Sequence, residues 1–266
     1  MAAKSKQAKN KPKPAPAPAG PTTRDKIRRE LMSWFWVILA FFIIESMIVQ
    51  ARVIPSASME NTILIGDHLI VSLVGYDIGI PFTEHHIPLW RNPKRQQIIV
   101  FEAPPEAAHD EDFIKRVIGV PGDAINISRG IVYVNGKRLN EPYADREPGD
   151  SESPVENFPP MGDNLFDGIT PEWAMALHTY VKDGKLIVPP HEYFVMGDNR
   201  DDSNDSRYWG FVPRRNIIGT PLFIYMSIRA PDGVWEPGHI GERLGTYLSV
   251  FIHPAEMRWK RLFRTF

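Results

Sequence analysis

The sequence predicts a mainly β body that follows one N-terminal membrane-spanning helix. Three observations support this fold class. Short apolar, β-branched segments recur between residues 68 and 228 and are separated by Gly, Pro and Asn–Gly turns. One continuous apolar segment, residues 31–51, precedes them. Within the body, only TPEWAMALHTYV, around residues 170–181, shows a helical pattern, with a Thr cap and Pro in its first turn.

Residues 1–30 form a basic, proline-rich tail. They hold nine Lys or Arg and two acidic residues, a local net charge of +7, which leaves −8 on the rest of the 266-residue chain. The tail lacks the apolar residues that a core requires, so we expect a disordered arm on the cytoplasmic side. The acidic remainder argues against a nucleic-acid-binding body. The absence of cysteine excludes disulfides, thiol nucleophiles and Cys-ligated zinc.

The segment LMSWFWVILAFFIIESMIVQA, residues 31–51, is long enough to cross a bilayer. As a helix its 21 residues would extend about 31 Å at ~1.5 Å per residue. Glu45 is costly there without a partner, which the sequence does not identify. A buried helix of a soluble domain is one alternative, and a cleaved secretory signal ending at Val49–Gln50–Ala51 is another. The segment's length and its one-sided basic flank favour an uncleaved anchor.

The distribution of basic residues predicts the orientation of this anchor. Nine Lys or Arg precede it, whereas Arg52 is the only one between Ala51 and Trp90. The positive-inside rule then predicts a single-pass protein of the cytoplasmic (inner) membrane, with its N-terminus in the cytoplasm and its body on the periplasmic or extracytoplasmic side. The later segment IIGTPLFIYMSI, residues 217–228, is short and contains Pro, which predicts a buried strand.

The body divides into a core and a smaller inserted unit. We expect core strands in residues 52–123 and 191–250, including HLIVSLVG, RQQIIVFEA and FIKRVIGV. Residues 124–190 are richer in Pro and acidic residues and are predicted to be an inserted smaller subdomain of unknown role. There, AINIS and GIVYVNGK are predicted strands, and Asn135–Gly136 is a strong hairpin signal.

The C-terminal segment, residues 251–266, is basic and amphipathic. In EMRWKRLFRTF, apolar residues recur at the spacing of one helical face, and basic residues occupy the rest. A helix of this type is predicted to lie in an anionic membrane interface. A helix docked on the protein's own body is the alternative. The sequence does not decide between the two.

FIKRVIGVPGD contains the first candidate catalytic residue. In a strand, Lys115 shares a face with Phe113 and Val117. A buried lysine loses hydration, and a fall in pKa of roughly 3 units would make its amine a base near neutral pH. The alternative is an ammonium that reaches solvent along its own aliphatic stem. The local sequence alone favours that alternative.

VMGDNRDDSNDSRYWGFVP, residues 195–213, has a dense polar centre between apolar ends. A calcium loop starting at Asp202 fails because Arg207 replaces its glycine and Pro213 its glutamate. Charges enclosed by buried strands are normally paired. We therefore predict that Arg200 pairs with Asp198 and that Arg207 pairs with Asp205.

Taken with PSASM and IGDHLIV, these segments resemble the type I signal peptidases (leader peptidases, peptidase family S26), which are membrane-bound serine proteases with a Ser–Lys dyad. The resemblance runs from the anchor to about Ala230. It implies an antiparallel-sheet catalytic body of the signal-peptidase type with an inserted smaller subdomain. It also implies an endopeptidase without cofactor or metal that cleaves signal peptides from exported pre-proteins at the outer face of the cytoplasmic membrane.

The resemblance assigns roles to thirteen residues. It makes Ser58 the nucleophile and Lys115 the general base, and it forms the oxyanion hole from the Ser58 N–H and the Ser56 hydroxyl. Ser203 would orient the lysine. The charged residues that would shape the site are Arg116, Asp198, Asp205 and Arg207. The residues that would form the substrate pockets are Ile54, Pro55, Met59, Phe113 and Ile114.

Two positions depart from the family pattern. Asn61 stands where many members have proline, and Asp202 stands where asparagine is frequent. Both lie beside reactive positions without replacing one. We expect them to affect the local loop conformation and not the chemistry.

The partners and rivals follow from the same residues. Ser58 lies seven residues after Ala51, so at ~3.6 Å per residue it stays within about 25 Å of the anchor's end. Signal-peptide-bearing pre-proteins and a phospholipid membrane are the expected partners, and no nucleic acid is expected.

Two alternative functions fit the sequence less well. A repressor-type Ser–Lys autoprotease would need a DNA-binding unit, and a non-catalytic, membrane-anchored peptide-binding module would not keep every reactive residue. His85–His86 lacks a third metal ligand, and the oligomeric state is not predicted.

Overall fold

A computed structural model of the chain describes residues 22–80, 86–108, 111–145, 156–160, 167–231, 233–236 and 238–266. Most of the predicted disordered tail, residues 1–21, lies outside the described residues, as does His85.

The described residues form four α-helices: α1 (Thr23–Met47), α2 (Pro171–Tyr180), α3 (Ser206–Trp209) and α4 (Ile240–Ile252). Short 3-10 helices lie at Arg214–Asn216, Pro254–Glu256 and Trp259–Arg261. The strands are β1 (Val49–Val53), β2 (Asp67–Ser72), β3 (Asp77–Gly79), β4 (His86–Pro88), β5 (Ile98–Glu102), β6 (Asp112–Gly119), β7 (Ala124–Ser128), β8 (Ile131–Val134), β9 (Lys137–Arg138), β10 (Val181–Lys182), β11 (Lys185–Ile187), β12 (Glu192–Met196), β13 (Val212–Pro213) and β14 (Ile217–Ser227).

Seven strands form the main sheet, in the order β1-β2-β14-β5-β6-β12-β13. Every neighbouring pair is antiparallel, which confirms the predicted mainly β, antiparallel class. The central strand β14 (Ile217–Ser227) confirms the predicted buried strand. It pairs with β2 on one side and with β5 on the other. Pro221 is accommodated in this strand at a point where the register between β14 and β2 shifts.

Helix α1 contains a segment, Lys26–Met47, that is long and apolar enough to cross a membrane, and it is the one such helix among the described residues. The apolar segment differs from the sequence expectation at its end. Val49–Ala51 lie in β1 rather than in the helix, because Val49 pairs with Ser72 and β1 continues as an edge strand along β2. Only Ile48 separates the helix from the sheet.

A second sheet of five strands, in the order β10-β11-β7-β8-β9, lies wholly between Ala124 and Ile187. This is the interval in which the sequence predicts an inserted subdomain. Helix α2 confirms the predicted helix, and its Thr170 cap accepts a hydrogen bond from the Trp173 backbone. Trp173 packs into the core of this sheet. Asn135 and Gly136 have φ values of 53° and 75°, as the predicted hairpin turn requires.

The C-terminal segment is not the helix that its apolar spacing predicts. Residues 257–266 contain one 3-10 turn and pair through single bridges at Ile228–Met257 and Phe223–Thr265. The segment docks on the body because Arg261 donates hydrogen bonds to both carboxylate oxygens of the buried Asp67. These inward contacts use the side chains that an amphipathic interfacial helix would expose.

The sequence also missed helix α4, Ile240–Ile252, which crosses the expected boundary at residue 250. Two glycines, Gly241 and Gly245, weaken its intrinsic helix signal, and no side chain caps its N-terminus. Tertiary contacts therefore account for its formation.

Candidate active site

Ser58 lies on the tight turn that follows β1. The Glu60 N–H donates to the Ala57 carbonyl at 2.8 Å within this turn. Asn199 holds the turn from the other side: its backbone N–H donates to the Ser58 carbonyl at 3.2 Å, and its side chain donates to the Ala57 carbonyl. The serine is 7% exposed, so its hydroxyl lies at the base of a groove rather than on the surface.

Lys115 approaches Ser58 from β6. Its Nζ donates a hydrogen bond to Ser58 Oγ at 2.7 Å, across 57 residues of sequence. The lysine is 4% exposed and its ammonium lies 5.2 Å from the centre of the Phe113 ring. The structure thus buries the amine, and the solvent-reaching conformation that the local sequence favours does not occur.

Burial changes the proton affinity of this amine. Desolvation lowers the pKa of Lys115 from 10.5 to about 8, opposed first by the negative charge of Asp205 and assisted by the positive charge of Arg207. With a pKa one unit above neutrality, about a tenth of the amine is unprotonated at pH 7. The amine can therefore accept a proton under ordinary conditions.

A buried ion pair supports the polar loop beside Lys115. Arg207 Nε donates to Asp205 at 2.8 Å, as the sequence predicts, and both side chains are buried. Asp205 also caps α3 and accepts from the Gly197 N–H. Burial acts to raise the pKa of Asp205, but the charge and hydrogen bonds of Arg207 lower that pKa below its usual value. The carboxylate therefore stays charged and structural.

Asp198 pairs with Arg116 rather than with the predicted Arg200. Arg116 donates two hydrogen bonds to the Asp198 carboxylate, at 2.7 and 2.6 Å. Arg200 instead forms an ion pair with Glu141. The prediction of an Arg200–Asp198 pair was wrong because it considered neighbours in sequence, whereas the strand next to Asp198 supplies a better-placed arginine. Thr62, on the nucleophile turn, also donates to Asp198 at 2.5 Å.

The two remaining predicted serines differ in their placement. Ser56 Oγ lies 3.4 Å from Ser58 Oγ, beside the nucleophile. Ser203 Oγ is buried but makes no hydrogen bond among the described residues, so the predicted contact with Lys115 is not formed here. A Cβ at Gly197 would stand 2.3 Å from Ser203 Oγ and 2.4 Å from the Ser58 carbonyl. Only glycine fits between these two groups.

A groove of about 550 Å³ leads to Ser58 and Lys115. Its walls include four of the five predicted pocket residues: Ile54, Pro55, Phe113 and Ile114. The fifth, Met59, is completely buried in the core beneath the groove.

The groove also contains residues that the sequence did not single out. Trp235 and Arg243, from the region after β14, contribute to its lining. At its edge, Arg52 of β1 and Asp112 of β6 form a salt bridge of 2.8 Å. A tryptophan soon after the long strand β14 was the available signal for Trp235, which is 2% exposed, whereas Arg243 lies on the unpredicted helix α4. Among the residues that the structure describes, no three acidic or histidine side chains are grouped to hold a metal ion.

Comparisons with known proteins show which family the chain resembles. A family model described as "Signal peptidase, peptidase S26" matches residues 27–226. A signal peptidase I from Buchnera aphidicola (subspecies Baizongia pistaciae) is 32% identical over 80% of this chain and 81% of its own length. One from Pseudomonas aeruginosa is 33% identical over 78% and 77%, respectively. A crystal structure of a signal peptidase I from Enterococcus faecalis, 32% identical, covers 49% of this chain and 97% of that chain with a TM-score of 0.36.

Proposed function

The chain belongs to the signal peptidase family, peptidase S26, and from that membership we propose that it is a membrane-anchored serine endopeptidase that removes N-terminal signal peptides from exported pre-proteins. Ser58 is the proposed nucleophile and neutral Lys115 the proposed general base. The observation that carries this proposal is the 2.7 Å contact between Lys115 Nζ and Ser58 Oγ, buried at the base of a groove.

The first chemical step follows from that contact. Once Lys115 is unprotonated, the Ser58 hydroxyl becomes the hydrogen-bond donor and Nζ the acceptor. As Oγ attacks the scissile carbonyl carbon, its proton passes to Nζ, and the carbonyl oxygen becomes a tetrahedral oxyanion. The Ser58 N–H and the Ser56 hydroxyl are the proposed donors to that oxyanion, and Ser56 Oγ lies 3.4 Å from the attacking atom.

The second half of the reaction returns the proton. The Lys115 ammonium gives its proton to the departing amine, the C–N bond breaks, and an acyl–Ser58 ester remains. Neutral Lys115 then takes a proton from water as the water oxygen attacks the ester carbonyl. When the ester C–O bond breaks, the Lys115 ammonium returns that proton to Ser58 Oγ, which releases the new carboxyl end of the signal peptide and free Ser58. Burial serves both steps because the loss of hydration lowers the pKa of Nζ and so increases the neutral fraction of the amine.

We also propose that the groove prefers small residues before the cleaved bond, as membership of the family leads one to expect. The described lining beside Ser58 includes the apolar residues Ile54, Pro55 and Ile114, which supports an apolar contact with the residues before the cleaved bond. An extended peptide can lie along the edge strand β1 and beside β6. Arg52, near the end of β1, and Asp112, at the start of β6, form a salt bridge at the groove edge.

Helix α1 is the proposed anchor. Its apolar length and the basic residues before it support a single-pass arrangement with the N-terminus in the cytoplasm and the body on the outer side of the inner membrane. Protease protection on sealed inverted membrane vesicles tests this arrangement. A body protected inside such vesicles supports the orientation, and a body digested from outside rejects it.

The activity test uses the full-length protein reconstituted in vesicles with a secretory precursor. We expect precursor cleavage by the wild type and none by Ser58→Ala or Lys115→Met. Ser128→Ala and Lys137→Ala, at exposed positions in the second sheet, are matched controls that should cleave normally. Equal cleavage by Ser58→Ala would reject the enzyme assignment, and unfolding temperatures measured on each variant would show that loss is not due to misfolding.

A further inference from the structure

Helix α4 is attached to the body by one face. Arg243 on that face donates hydrogen bonds to the backbone carbonyls of Val234 and Glu236, at 3.1 and 2.8 Å. One turn later, the Tyr247 hydroxyl lies 2.7 Å from His68 Nε2 of β2. These contacts fix the rotation of the helix about its own axis, so its opposite face has a defined direction.

That opposite face is apolar and exposed. Four large aliphatic residues follow one another at intervals of four, which places them along one stripe of the helix. We call this the α4 stripe, and its members and exposed fractions are Ile240 (76%), Leu244 (59%), Leu248 (57%) and Ile252 (75%). None of the four belongs to a described core cluster. A solvated helix normally places polar residues at such positions, so the stripe points to an apolar contact.

The chain path indicates which apolar surface the stripe meets. Tyr247 and Val250 of α4 pack on the same small cluster as Val53, the last residue of β1. Val53 lies six residues after Met47, the end of the apolar helix α1. Six residues of extended chain span at most about 22 Å. Helix α4 is thus attached to a point that the chain keeps near the end of the proposed membrane-spanning helix.

The neighbouring C-terminal segment adds exposed aromatic residues. Glu256 beyond α4 accepts a hydrogen bond from Ser249 of α4 at 2.8 Å, and the segment continues through Trp259 and Phe263. Those two aromatic side chains are 59% and 73% exposed. Tryptophan is enriched at the boundary between lipid and water because its ring is apolar and its N–H is polar.

We propose that α4 is an interfacial membrane helix, with the α4 stripe inserted among the lipid acyl chains beside the substrate groove. The proposal rests on the proposed anchoring of the chain by α1. A helix with a narrow apolar face and few charges binds the interface by apolar burial. Because Arg243 and Trp235 also line the groove, this contact would hold the groove at the membrane surface, where a signal peptide's cleavage site emerges.

The absence of native cysteine permits a direct test in the full-length protein. Leu248→Cys places a unique thiol on the α4 stripe, and Glu242→Cys places one at an exposed position of the same helix that lies outside the stripe. Each variant is labelled with a polarity-sensitive fluorophore and reconstituted in phosphatidylethanolamine–phosphatidylglycerol vesicles. Lipids that carry a nitroxide near the headgroup then report contact between the label and the bilayer. Leu244→Cys provides a second stripe position if Leu248→Cys does not fold.

We expect nitroxide lipids to quench the Leu248 label several-fold more than the Glu242 label, with blue-shifted emission only for Leu248. Equal, weak quenching at both positions overturns the proposal. Blue-shifted emission at Leu248 without quenching by nitroxide lipids also overturns it, because a protein surface then covers the stripe. Precursor cleavage by the unlabelled wild type in the same vesicles is measured separately, so loss of the proposed activity is distinguished from loss of the lipid contact.

Discussion

Lys115 Nζ and Ser58 Oγ lie 2.7 Å apart with both side chains almost wholly buried. The proposed base and nucleophile are therefore assembled before any substrate binds. Desolvation, the main cause of the lowered pKa of Lys115, is already present in the free protein. The pH dependence of the free protein should therefore report this amine.

Peptide cleavage should rise with pH. The reactive amine is the unprotonated one, and the pKa of Lys115 is about 8. We expect kcat/KM to fall about tenfold per pH unit below that value and to level off above it. Steady-state cleavage of a soluble signal-peptide substrate between pH 6 and pH 9.5 measures the profile. A flat profile over this range would contradict a lysine base.

Asp202→Asn should move this profile to lower pH. The negative charge of Asp202 raises the pKa of Lys115, and Asp202 itself is exposed and outside the two buried ion pairs of the site. Neutralising Asp202 removes a charge that stabilises the Lys115 ammonium, so the pKa of Lys115 should fall. The rising part of the rate profile should then move to lower pH, while the plateau rate stays the same. Glu102→Gln, an exposed acidic residue absent from the interactions that shift this pKa, is the control. An unshifted midpoint in Asp202→Asn would disprove the electrostatic coupling.

Lys115→Met should be more stable than the wild type at neutral pH although it is inactive. A folded-state pKa of about 8 against 10.5 unfolded means that the unfolded chain binds the proton more tightly. The wild type therefore carries a penalty of roughly 3 kcal/mol below pH 8, which is relieved between pH 8 and 10.5. The Lys115→Met advantage should shrink over that window in chemical unfolding. An advantage independent of pH would point to packing instead.

The two arginine–aspartate pairs that β6 makes should differ in strength. Asp198→Ala leaves Arg116 buried without its carboxylate and should cost about 3–5 kcal/mol of unfolding free energy. Asp112→Ala breaks the partly exposed pair with Arg52 and should cost no more than about 1 kcal/mol. Unfolding of both variants under one set of detergent conditions gives the comparison. Similar costs would mean that burial does not control the strength of these pairs.

Asn61→Pro should be destabilising here although the resemblance leads one to expect proline at this position. Asn61 has a φ of 80°, which the proline ring forbids, and its side chain donates to the Tyr143 carbonyl at 3.2 Å. We expect Asn61→Gly, which tolerates this φ, to retain most of the stability. Thermal unfolding and peptide cleavage measure both effects. Full stability of Asn61→Pro would show that the turn has a second conformation.

Much of the fold was predictable because its signals are local. A few neighbouring residues are enough to predict each of three elements: the Asn135–Gly136 hairpin, the Thr170-capped helix and the apolar strand Ile217–Ser227. The Arg207–Asp205 pair was also predictable because its members lie two positions apart in the sequence. Local propensity and tertiary packing agree at these positions.

The errors lie where distant residues decide the outcome. The spacing of Trp259 and Phe263 indicates a helix, but Arg261 is drawn to Asp67, 194 residues away, and the segment extends along the body instead. Helix α4 is the opposite case: a helix forms where the sequence did not predict one. Contacts through Arg243 and Tyr247 stabilise this segment although its glycines weaken its helix propensity. Sequence periodicity contains no information about such partners.

The single residue Ile48 between helix α1 and strand β1 affects how encounters should be counted. With so short a connection, an anchored enzyme meets its precursor by lateral diffusion in a shared sheet of lipid. The quantity that sets the encounter frequency is then molecules per unit area. Diluting a vesicle suspension with buffer should leave processing unchanged, whereas fusing in empty vesicles should slow it.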